Sequence, residues 1–148
     1  MIIGRIGRST AAAALFWAAA APAETAAGAT ARIGEEIAGL VASWNRGDLE
    51  RALQSYCPRS DISWVNASGL THGFEPFARS MREEFGRSPA RMGTMTMEVL
   101  ESRDLGERGL VVVRWSIVRE GRRLMGGISS QLWAQCDGGM RIVFEHAS

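Results

Sequence analysis

The side chains best placed to do chemistry are two histidines, two cysteines and a group of aromatic residues. His146 closes the run Met140, Ile142, Phe144, His146, whose members share one face of an extended strand because side chains alternate. That face is otherwise apolar and is expected to point inward. A His there is either a general acid or base, with a pKa movable into the working range, or a wall residue hydrogen-bonded to a nearby hydroxyl or carbonyl. Asp137-Gly138 is a two-residue hairpin signal that pairs Cys136 with Gly139. Counting back from the turn sets Ser129 opposite His146 and Gln131 opposite Phe144. A Ser beside a His is the pattern of a nucleophile with its base. Ser129 lies mid-strand, without a nucleophile elbow or an evident oxyanion hole, so a structural serine is the plainer reading.

The other candidates are weaker. His72 precedes a helix, whose N-terminus disfavours a cationic imidazole, so a neutral structural His is expected. The two His have no metal-binding spacing, and two Cys without paired His make a poor metal site, so no metal is expected. No cofactor is implied. Tyr56, Trp64, Trp115 and Trp133 suit the wall of a pocket for a flat apolar molecule, with Ser129, Gln131 and Phe144 beside them. For each aromatic taken alone, core packing is the plainer reading. Arg114 meets either a ligand carboxylate or Glu98 or Glu101 across a sheet. Asn66-Ala67-Ser68 fits the glycosylation triplet and is read as turn chemistry.

These residues must be positioned by a few elements. Ile33, Ile37, Leu40, Val41 and Trp44 lie on one helical face, which Gly47 ends and after which Asp48 caps a second helix. Leu49, Ala52, Leu53 and Tyr56 form the second stripe, ended by Pro58. Residues 61–65 and 70–72 read as a short strand pair around the turn Asn66-Ala67-Ser68-Gly69. Phe74, Phe77, Ala78, Met81 and Phe85 mark a third helix, closed by Gly86 and Pro89. The rest is a meander: a strand around residues 94–99, then 110–119, 123–136 and 140–147. Helices segregated on one face of an antiparallel sheet make an α+β domain.

Length and composition narrow the classes. The chain has 148 residues, 46% hydrophobic and 22% charged, which suits one globular domain. A formal net charge of +1 leaves no concentrated basic face, so neither nucleic acid nor a membrane surface is an expected partner. Residues 1–23 join a basic start with Arg5 and Arg8 to a short apolar run and the small-x-small site Ala21-Pro22-Ala23. That is the layout of a secretory signal peptide, and its run is too short to span a membrane. The expected mature protein is periplasmic or secreted, with a flexible lead-in over 24–32 and one domain over 33–148. In an oxidising compartment Cys57 and Cys136 are either paired or two small buried residues.

Several segments, in order, resemble SnoaL-like and ketosteroid-isomerase-like domains of the nuclear-transport-factor-2-like superfamily. They are Trp44-Asn45-Arg46-Gly47-Asp48, Tyr56-Cys57-Pro58, His72-Gly73-Phe74-Glu75 and the closing hairpin from Asp137 to Ser148. Met140 stands where the family commonly has Trp. The resemblance implies a strongly curved antiparallel (mixed) sheet wrapped by three helices into a cone, a pocket inside it, and a homodimer. It also implies that the strand near Asp61 runs beside the last strand, which brings Cys57 and Cys136 to the same end of the sheet. It does not imply one activity. Where the isomerases carry their base this chain has Trp64 or Val65, and Asp61 reads as a turn acid, so isomerase chemistry is not supported. Dehydratase chemistry wants paired His, and only His146 is well placed. Three readings stand: an exported domain binding an unknown small apolar molecule; a cyclase, isomerase or dehydratase using His146; or a dimeric interaction module with a vestigial pocket.

Overall fold

The computed structural model describes residues 26–148, so the expected signal segment lies outside the described residues. The elements are α1 (Ala26–Asn45), α2 (Leu49–Leu53), β1 (Ser63–Asn66), β2 (Gly69–His72), α3 (Phe74–Phe85), α4 (Pro89–Met92), β3 (Thr94–Asp104), β4 (Arg108–Arg119), β5 (Arg122–Cys136) and β6 (Gly139–Ala147). They form a mixed α+β domain with one six-stranded curved sheet in the order β2-β1-β6-β5-β4-β3. All neighbours are antiparallel except β1 and β6, which run parallel. The hairpins follow from short turns, and the parallel pair from the long path that separates β1 from β6 in sequence.

Helix α1 buries Ile33, Ile37, Leu40 and Trp44, one stripe at helical spacing. It stops at Gly47, whose φ of 75° lies in the left-handed region. A Cβ at Gly47 would also stand 2.4 Å from Pro89 Cβ, so the first residue of α4 seats directly on this turn. Asp48 then caps α2 by accepting from Arg51 N at 3.0 Å. Two side chains tie the end of α1 to the end of α4 and the strand that follows it: Trp44 Nε1 donates to Met92 O at 3.1 Å, and Asn45 Nδ2 donates to Met95 O at 3.0 Å. Asn45 Oδ1 accepts from Met95 N at 2.7 Å, so this side chain serves the edge strand β3 as a strand partner would.

Three expectations are corrected. The segment 26–32, expected within a flexible lead-in, belongs to α1, whose helical backbone its alanines favour. The one-turn helix α4, with Pro at its start, was not expected beyond Pro89. The third concerns register. Cys136 pairs with Gly139 as expected, but the β5–β6 ladder shifts between Leu132 and Trp133, which pair with Phe144 and Ile142. Val143 is the extra residue of a bulge. One added residue reverses the alternation: Met140 and Ile142 face inward, and beyond the bulge so do Glu145 and Ala147, while Phe144 and His146 are exposed on the outer face. Ser129 accordingly stands opposite Ala147, Ser130 opposite His146 and Gln131 opposite Glu145.

Candidate functional site

Between the helices and the inner face of the sheet lies a cavity of about 360 Å³. Aromatic side chains from every layer line it: Trp44 from α1, Tyr56 after α2, Trp64 from β1, Phe77 and Phe85 from α3, and Trp115 from β4. The Phe77 ring is its hub, with centroids 4.4 Å from Tyr56 and 5.1 Å from Trp64. Met81, Met95, Met97 and Met125 complete most of the apolar wall. Unbranched thioethers repack around ligands of varied outline.

One polar cluster enters this wall. The segment before Tyr56 is sewn to β6 by Ile142 N donating to Ser55 O at 2.8 Å and Cys57 N donating to Ile142 O at 2.9 Å. That fixes Tyr56 so that its hydroxyl donates to Glu145 Oε2. Gln131 Nε2 donates to Glu145 Oε1 at 3.0 Å, and Trp133 Nε1 donates to Gln131 Oε1 at 3.2 Å. Glu145 is buried at 6% exposure, and both of its oxygens accept from neutral donors. Burial, then the charge of Glu145 and the hydrogen bond to it, push the Tyr56 phenol well above the ordinary tyrosine range. The phenol therefore stays a proton donor to the carboxylate. Trp115 Nε1 is also buried, and among the described residues it has no hydrogen-bond partner.

Of the residues expected in the pocket, Tyr56, Trp64 and Trp115 line this cavity. Ser129, Gln131 and Trp133 are buried in the sheet behind it, with Gln131 reaching it only through Glu145, and Phe144 lies on the outer face. His146, expected as the acid or base, is exposed beside Phe144 and outside the cavity, because of the bulge at Val143. His72 is exposed too, its Nδ1 3.1 Å from Ser63 Oγ. Arg114 meets Glu98 at 2.9 Å across the outer face. Cys57 and Cys136 are joined by a disulfide, with a Cα separation of 5.9 Å. Among the described residues no group of three or more His, Cys, Asp or Glu is placed to hold a metal ion, and no helix is long and apolar enough to cross a membrane.

Glu145 is the residue that sequence reasoning missed. Its signal was present: it is the one acid in the last strand, directly after the apolar run Ile142-Val143-Phe144. The methionines, Met81 on α3 and the others on strands, were missed because Met reads as core filler.

No family model matches the sequence, and no curated protein matches it. Solved structures do. The chain is similar to a nuclear-transport-factor-2-like protein of unknown function from Shewanella oneidensis, with a TM-score of 0.75 and 22% identity over 80% of this chain and 98% of that one. A nuclear-transport-factor-2-like superfamily protein from Salmonella enterica matches with a TM-score of 0.64 and 21% identity, over 84% and 92% of the two chains. A cystatin-like domain of unknown function from Nostoc punctiforme matches with a TM-score of 0.66 and 15% identity, over 81% and 76%. At such identities the likeness is one of fold.

Proposed function

We propose that this chain, which has the nuclear-transport-factor-2-like fold, is an exported domain that binds a small, largely apolar molecule in the cavity between its helices and its sheet. The cavity itself carries the reading. Its volume of about 360 Å³ falls in the range of roughly 300–1,000 Å³ typical of ligand pockets, and its wall is apolar with a few convergent polar groups. The unpartnered Trp115 Nε1–H supports a ligand with an acceptor, since buried donors are rarely left without one. Export is supported by residues 1–23 and is consistent with the disulfide. Pairing of two copies through the outer sheet face is part of the same proposal.

A second reading is enzymatic, and the Tyr56–Glu145 pair favours it. A carboxylate inside an apolar site can take a proton from a bound molecule, and a phenol can donate to a developing oxyanion. In that reading Glu145, with Tyr56, takes the role expected of His146.

Native mass spectrometry of freshly purified protein tests the binding reading. The expected result is an added small-molecule mass that is lost in Ala147→Phe, which fills the cavity. Absence of any adduct, together with no change in tryptophan fluorescence on titration with apolar compounds, would overturn it, because Trp44, Trp64 and Trp115 all line the site.

A further inference from the structure

The cavity has a charge character that its apolar wall obscures. Glu145 is buried at 6% exposure, and a second carboxylate, Glu84, borders the same cavity from an exposed position on α3. Among the described residues that line it there is no Lys, Arg or His. The donors on Glu145 are the Tyr56 hydroxyl and the Gln131 amide, both uncharged. A buried carboxylate normally has a cationic partner, and among the described residues this one has only neutral ones. A carboxylate offers about four acceptor positions, and the described contacts fill two of them. Around the acid stand Tyr56, Trp64, Phe77 and Trp115, whose ring faces attract cations. An anionic ligand would meet the like charge of Glu145, and the nearest guanidinium at the wall, that of Arg123 beside Gly126, is not among the lining groups. A neutral one would leave the acid unpaired.

We propose that the natural ligand is an organic cation, an apolar amine whose ammonium group sits against Glu145 among these rings. An ether, hydroxyl or carbonyl oxygen elsewhere on the molecule accepts from Trp115 Nε1–H. The inference rests on the binding reading above and adds the ligand's charge to it.

Three probes of one skeleton separate the two ideas: 4-phenoxybutylamine, 4-phenoxybutan-1-ol and 4-phenoxybutanoate, titrated into the full mature chain by isothermal calorimetry. The expected order is amine, then alcohol, then carboxylate, with the amine at least about tenfold tighter than the alcohol, or about 1.4 kcal/mol. In Glu145→Gln the amine should fall to the affinity of the alcohol, while the alcohol changes little. Equal binding of amine and alcohol by the wild-type chain, or preference for the carboxylate, overturns the cation proposal and leaves the pocket reading standing. Failure of all three probes, with no tryptophan response, overturns both. The wild-type series does not depend on any variant folding. Glu84→Gln supplies a second variant at an exposed position, expected to weaken the amine only about two- to threefold because solvent screens that charge. A full loss of the amine preference in Glu84→Gln with none in Glu145→Gln would place the cation at the mouth and overturn the assignment to Glu145.

Discussion

A carboxylate taken out of water must have its oxygens satisfied, and Glu145 depends on two donors to achieve that. Removing one exposes the dependence. Tyr56→Phe keeps the ring contact with Phe77 and deletes the hydroxyl, so it is expected to cost about 1–3 kcal/mol in chemical denaturation, the usual cost of leaving a buried polar group short of a partner. The chain has one Tyr, so the ultraviolet absorbance of phenolate reports on this residue alone. Its folded-state titration should lie well above the ordinary value of about 10. The sign of the linkage follows. A raised folded pKa means that the native state holds the proton more tightly than the unfolded chain does. The stability involved is complete below the unfolded pKa of about 10, and is lost as pH rises through the folded pKa. In Tyr56→Phe the decline above about pH 10 should flatten. A wild-type phenol that titrates at or below its ordinary value would show that the bond to Glu145 is not made.

At the level of the element, β6 explains both what the sequence disclosed and what it hid. The turn Asp137-Gly138, the pairing of Cys136 with Gly139 and the inward phase of Met140 and Ile142 were all legible, because each depends on neighbours along the chain. The phase beyond Val143 was not. A bulge without Gly leaves no local mark; it is set by how Trp133 and Ile142 pack under α1, which is a tertiary matter. A single-residue slip was enough to exchange His146 for Glu145 at the site. The clamp at the end of α1 was hidden for a similar reason. Asn45 reads as a helix-end residue, and its two bonds to Met95 become visible only when the edge strand is present. Asn45→Ala removes both and leaves the Met95 amide and carbonyl without them. Its expected cost is about 1–3 kcal/mol, seen as a lower denaturant midpoint with an unchanged m-value. An unaltered midpoint would show that water replaces this side chain at no cost.

For the molecule as a whole, the order of helices and strands was legible because apolar periodicity and turn residues mark each element in turn. Curvature was less so, since it comes from bulges at Val99/Glu101, Ile117/Val118 and Leu132/Trp133 that periodicity does not announce. The disulfide bridges positions 79 residues apart, tying the segment before β1 to the β5–β6 hairpin. In the chain-entropy model a loop of that length contributes up to about 4.5 kcal/mol. Cys57→Ser with Cys136→Ser is therefore expected to lower the denaturation midpoint markedly, and an equal midpoint would show that the bond adds nothing. The helices leave the other face of the sheet uncovered. Leu110, Leu132 and Phe144 form one cross-strand row there, and Val112, Ser130 and His146 form the next. Ile128 and Phe144 are 43% and 37% exposed, which is unusual for large apolar residues in the middle of a sheet. A second copy packed on this face would bury them, provided that the contact approaches about 800 Å² per partner. Arg114 and Glu98 pair at 2.9 Å on the same face, and as an exposed ion pair they add little affinity but resist a misplaced partner. The expected state by light scattering at micromolar concentration is a dimer. Ile128→Glu combined with Phe144→Glu should give a folded monomer, since both side chains already meet solvent in the single chain and neither lines the cavity. A wild-type monomer, or a double variant that remains dimeric, would move the interface elsewhere.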